Sequence, residues 1–139
     1  MTTLNLPTTQ ALFDHVAKHL LTQGQRSIAG KQCRYRAYTT AGTLADTLSC
    51  AVGCLITDQN YTPELEDKGP GNPKVRVAVE ASIGRIPDAR EVDMLHSLQA
   101  CHDQHGPDGW PSKLADIARS HHLSLQVIEE HQNAQPTTD

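Results

Sequence analysis

The sequence predicts an α+β domain on three observations: a strongly amphipathic stretch near the N-terminus, two segments with alternating apolar residues, and a capped helical pattern in the C-terminal third. Over residues 10–23 the apolar positions Leu12, Phe13, Val16, Ala17, Leu20 and Leu21 recur at steps of three and four. Gly24 follows as a stop, so this segment reads as a helix. Residues 31–38 put Cys33, Tyr35 and Ala37 on one face and Arg34, Arg36 and Tyr38 on the other, the pattern of a half-buried strand. Residues 74–80, with Val75, Val77 and Val79 on one face, read as its companion in a small antiparallel sheet.

Between these segments lies the run Cys50-Ala51-Val52-Gly53-Cys54-Leu55-Ile56. Its length leaves helix and strand both open to periodicity. The small residues Ala51 and Gly53 and a potential cap at Ser49 favour a short helix over residues 48–56, with Cys50 in its first turn and Cys54 one turn on. The loop at 67–73, rich in Gly and Pro, is expected to be exposed. Asp88 and Glu91 have capping-box spacing, and Val92, Leu95, Leu98 and Cys101 or His102 continue an apolar stripe to Gly106-Pro107. Pro111 suits the first turn of a second C-terminal helix with Leu114, Ile117, Ala118 and His121 inward, while residues 123–130 read equally as helix or strand. One domain over 10–131 is expected between flexible ends at 1–9 and 132–139.

The 139 residues suffice for one core, and with aromatics at 4% that core must be aliphatic, with Phe13 and Trp110 as its large pieces. A net charge of −4 argues against a general binder of nucleic acid or anionic membrane. The N-terminus lacks the basic start and apolar run of a secretory signal, and no stretch reaches the length of a membrane span, so a cytoplasmic location is expected. There, Cys33, Cys50, Cys54 and Cys101 read as free thiols or ligands rather than disulfides. Nothing in the sequence reports an oligomeric state.

Three constellations could carry chemistry. Arg26, Lys31, Arg34 and Arg36 form the dense basic run, interleaved with Tyr35 and Tyr38. For a nucleotide-like ligand, Arg34 and Arg36 would hold phosphate while Tyr38, Tyr61 or Trp110 stacks on the base. A cysteine-dependent hydrolase is the alternative, with Cys50 as nucleophile activated at a helix N-terminus and His102 with Asp103 as base and orienting acid. A zinc-stabilised module could use Cys33, Cys50, Cys54 and His102, although only Cys50 and Cys54 have knuckle-like spacing; otherwise no cofactor is expected. Residues 114–124 resemble the start of a helix-turn-helix with His122 at the glycine position. The following residues carry Glu129 and Glu130 without Lys or Arg, which makes DNA a poor partner.

Cys33-Arg34-Tyr35-Arg36, the cysteine run 50–56, Asp58, Tyr61, Pro63 and Glu66, with Leu98-Gln99, His102-Asp103 and Trp110 further on, together resemble a group of small uncharacterised proteins of phages, prophages and bacteria. The resemblance runs from the first helix to about Leu123, with departures in a longer Thr-rich loop at 39–47 and in the tail after Leu123. It implies a genetic setting rather than a reaction. The function expected from it is an intracellular accessory protein that binds a host protein or a nucleotide-like signal and so antagonises host defence.

Overall fold

A computed structural model describes residues 3–29, 32–35, 37–38, 47–66 and 68–134. Five α-helices dominate these residues: α1 Thr9–Gln23, α2 Pro73–Ile83, α3 Ala89–Gln104, α4 Trp110–Ser120 and α5 Gln126–Ala134. The architecture is helical, which corrects the α+β expectation. Among the described residues β structure is confined to two separate antiparallel ladders of two residues per strand. One pairs β1 (Ile28–Ala29) with β2 (Gln32–Cys33), the other β3 (Ala37–Tyr38) with β4 (Thr47–Leu48).

The expected second strand lies inside α2. Asn72 accepts the Lys74 amide at 3.0 Å and so caps a helix whose first residue is Pro73, where a missing N–H costs nothing. Val75, Ala78, Val79, Ser82 and Ile83 are buried, a helical step that coexists with the alternation of Val75, Val77 and Val79. Val77, the odd member, is left 63% exposed. At the other end Gly84 takes the left-handed conformation (φ +76°), which closes the helix on the Glu80 carbonyl at 2.9 Å.

The expected strand over 31–38 is interrupted rather than continuous. The chain leaves β2 at Arg34 and turns Tyr35 into the interior before β3 begins. The Arg34 amide donates to the Ser27 carbonyl at 2.8 Å and the Ser27 hydroxyl to the Arg34 carbonyl at 2.7 Å, so the first hairpin is closed at its base. The cysteine run is not a regular helix either. After β4 it makes a single turn, with the Cys54 amide on the Cys50 carbonyl at 3.1 Å, and passes into a 3₁₀ turn at Gly53–Leu55. Val52, not Ser49, stands at the N-cap of that 3₁₀ turn, and Ser49 ties the segment to α1, its amide donating to the Gln23 side chain (2.9 Å) and its carbonyl accepting from Gln23 and His19 (3.0 Å each).

The N-terminal and C-terminal expectations hold more closely. In α1 Leu12, Phe13, Val16, Ala17, Leu20 and Leu21 are all buried. α3 begins on a formed capping box, with the Glu91 amide on Asp88 at 2.8 Å and the Asp88 amide on Glu91 at 3.0 Å. Glu91 is also buried, and Arg85 grips it through Nη1 and Nη2 at 2.8 and 2.6 Å while donating its Nε–H to the Leu6 carbonyl. His122 does occupy a glycine-like position, at φ +58°, and the ambiguous residues 123–130 enter α5, which packs on α1 and α4.

Two outcomes follow for stability. A Cβ at Gly53 would sit 2.6 Å from the Tyr35 carbonyl oxygen, so Gly53→Ala is expected to cost about 1–3 kcal/mol in urea unfolding. Gly106→Ala, where a Cβ meets nothing within 4 Å, is the near-neutral control. The Arg85 guanidinium holds the Glu91 carboxyl below the usual carboxylate range. The stability this pair contributes is therefore present above pH 4.3 or so, the ordinary glutamate value, and is lost as pH falls through the lowered one. Arg85→Met should cost about 3 kcal/mol at neutral pH and progressively less in acid, as read by the denaturation midpoint across pH.

Candidate functional site

The polar interior gathers around the C-terminal half of α3. Gln99 and Asp103 are four residues apart and so share one helix face, with His102 beside them. Gln99 accepts the Val52 amide at 3.0 Å and donates to Asp103 Oδ1 at 2.8 Å. His102 is fully buried and both its ring nitrogens are engaged. The Ser27 amide lies 2.8 Å from Nε2 and can only donate, so Nε2 is the bare nitrogen; Nδ1 then carries the proton and donates to Asp103 Oδ1 at 2.8 Å. Behind this pair Trp110 stacks on the imidazole, ring centroids 5.6 Å apart, and donates its indole N–H to the His105 carbonyl.

In front of it is a cavity of about 230 Å³ lined by Arg34, Tyr35, Cys50, Lys68, Gly69, Gln99 and Asp103. Buried Glu66 supports its far wall, accepting the Tyr35 amide at 2.9 Å and the Tyr61 hydroxyl at 2.6 Å and standing 3.4 Å from the Arg34 Nε. The Tyr35 hydroxyl donates to the Lys68 carbonyl and fixes the ring as a wall. Cys50 forms the floor. Burial first, and the Asp103 and Glu66 charges with it, push its thiol up to about 12, although the Gly53 amide and Gln99 pull the other way. At neutral pH it is a protonated thiol rather than a nucleophilic thiolate.

Of the residues expected to bind a ligand whose side chains are described, Arg34 lines this cavity. Tyr61 lies behind it on Glu66, and Trp110 is sealed in the core where no base can stack on it. The side chains of Arg36 and Tyr38 lie outside the described residues. Of the hydrolase set, Cys50 and Asp103 meet in the cavity, whereas the His102 nitrogen that would act as base holds the Ser27 amide. Of the zinc set, the Cys33 side chain lies outside the described residues. The Cys54 thiol donates to the Ala51 carbonyl, and among the described residues no three His, Cys, Asp or Glu side chains gather as a metal shell. Tyr35, Lys68, Gly69 and Gln99 went unrecognised in the sequence as site residues. The i, i+4 spacing of Gln99 and Asp103 was the available signal.

Comparison with known proteins adds no relative: no family model, curated protein or solved structure matches the chain. Among the described residues no helix is long and apolar enough to cross a membrane. The state of Cys50 is directly checkable. In the folded protein at pH 7 it should react with a thiol-specific aromatic disulfide far more slowly than a free thiol, and at the free rate once unfolded; fast native labelling would show an activated thiolate instead.

Proposed function

We propose that this chain is a non-enzymatic binding protein whose site is the cavity between Arg34, Cys50 and Asp103, and that its ligand is a small nucleotide-like signal. The carrying observation is a cavity to which Arg34, Gln99 and Asp103 contribute polar groups while Cys50 stands there as a protonated thiol and the His102 ring is held by a backbone amide. Arg34 offers guanidinium N–H groups to a phosphate, and Gln99 and Asp103 offer a fixed polar wall to the remainder. The volume lies below the roughly 300–1,000 Å³ that engulfs a drug-sized molecule, so the cavity would take one end of a nucleotide rather than the whole of it. The resemblance to small phage and bacterial proteins supplies the setting, in which sequestering a host-made signal would blunt a defence response.

A protein partner is the second reading. Val77 and Ile86 are the exposed large hydrophobics among the described residues, and Val77 borders an apolar groove with Leu65, Pro73, Ala78 and Ala81. A thermal-shift screen with mononucleotides and cyclic dinucleotides separates the two. A ligand at a hundred times its dissociation constant adds about 2.7 kcal/mol, a clear rise in melting temperature. The rise should vanish in Arg34→Ala, whose backbone bonds to Ser27 are kept, and a flat response to every nucleotide would leave the protein partner.

A further inference from the structure

One side of the cavity is a short loop, Lys68-Gly69-Pro70-Gly71, in which no residue is buried. The chain is firm before and after it. Glu66 is buried and accepts from the Tyr35 amide and the Tyr61 hydroxyl, and Asn72 caps α2. Between these points the hydrogen bonds are local: the Lys68 amide on the Leu65 carbonyl at 3.3 Å, the Lys68 ammonium on the Glu64 carbonyl, and the Asn72 amide on the Gly69 carbonyl at 3.0 Å. Among the described residues, one hydrogen bond ties the loop to a distant part of the chain, the Tyr35 hydroxyl on the Lys68 carbonyl. Packing adds little to it. A Cβ at Gly69 would meet nothing within 4 Å, and one at Gly71 would meet the exposed His96 ring at 3.4 Å.

We propose that residues 68–71 form a strap latched by the Tyr35 hydroxyl, whose release opens the cavity as far as Cys50 while the helices stay folded. Lys68 and Gly69 line the cavity together with Cys50, so a strap that swings outward uncovers a thiol that is 2% exposed when it is closed. Gln99 and Asp103 stay in place during this motion, because they sit on α3 and their bonds run to Val52 and His102 rather than to the strap. Release breaks one long-range hydrogen bond and exposes little apolar surface, so the open form lies far below global unfolding in free energy. That the strap also admits a ligand rests on the binding reading above; the opening itself does not.

Labelling the full chain with iodoacetamide at neutral pH, with no ligand present and each cysteine read by mass spectrometry, tests this. Cys101 is buried on α3 outside the cavity lining and reports global unfolding. Cys50 should label faster than Cys101, at a rate that stays flat in low urea while that of Cys101 climbs, because strap opening exposes little surface. Tyr35→Phe keeps the ring but removes the latch and should speed Cys50 labelling about two- to tenfold, the worth of one net hydrogen bond. A Cys50 rate that climbs with urea as steeply as that of Cys101 would overturn the strap, as would an unchanged Cys50 rate in folded Tyr35→Phe. If that variant does not fold, the urea dependence of the unaltered chain decides alone. Failure here leaves the nucleotide screen to decide the binding reading separately, and a flat screen leaves the strap standing.

Discussion

An irregular backbone buried inside a shell of helices must find a hydrogen-bond partner for its amides and carbonyls, and here the helices supply those partners from their side chains. From Ser49 to Thr57 the chain is largely buried yet forms only a turn and a short 3₁₀ turn of its own. α1 reaches it through His15, which donates to the Cys54 carbonyl at 3.1 Å, and through His19 and Gln23 on Ser49. α2 contributes Ser82, which accepts the Thr57 amide at 2.9 Å, and α3 contributes Gln99 on Val52. Three helices thus converge on one turn of chain and are held in mutual register by it.

That arrangement explains why polar groups that look catalytic in sequence are structural in space. His102 fastens the first hairpin through the Ser27 amide, Gln99 fastens the cysteine turn, and Asp103 joins the two by accepting from both side chains. A buried polar network whose members are mutually hydrogen-bonded is rigid, because loosening any member strands another in a low dielectric. The cavity inherits this rigidity. Its floor is Cys50, kept protonated by burial, and its opposite wall is Tyr35, whose hydroxyl is likewise raised well above its ordinary value, chiefly by burial.

A second fastening operates at the far end of α3. Arg85 and Glu91 join the N-terminal segment at Leu6 and Thr9 to the α2–α3 connection, and the same Glu91 carboxylate completes the helix cap. Removing Arg85 would leave the buried Glu91 carboxylate without its counter-ion, which is why this pair matters more than the exposed Lys74–Glu64 and Arg119–Asp116 pairs. The two ends of α3 therefore do different work, one anchoring the chain and the other shaping the cavity.

The helices α1, α3 and α4 were legible in the sequence because their apolar spacing and caps are local signals that tertiary packing reinforced. α2 was misread because a run of β-branched valines has strand-like alternation, and only packing, with Val75 and Val79 inward and Val77 outward, distinguishes the two periods. The cysteine turn was legible as a buried, small-residue element but not in its conformation, since a run of seven residues carries too little periodicity to choose one. By itself the sequence determined the inward face of α1 and where most helices start and stop, because a helical apolar stripe and its caps are written in neighbouring residues. Only the tertiary structure decided that Arg34, Cys50, Gln99 and Asp103 share a cavity while Trp110 and His102 stand behind it, because that depends on long-range bonds between side chains and distant backbone that no local spacing records.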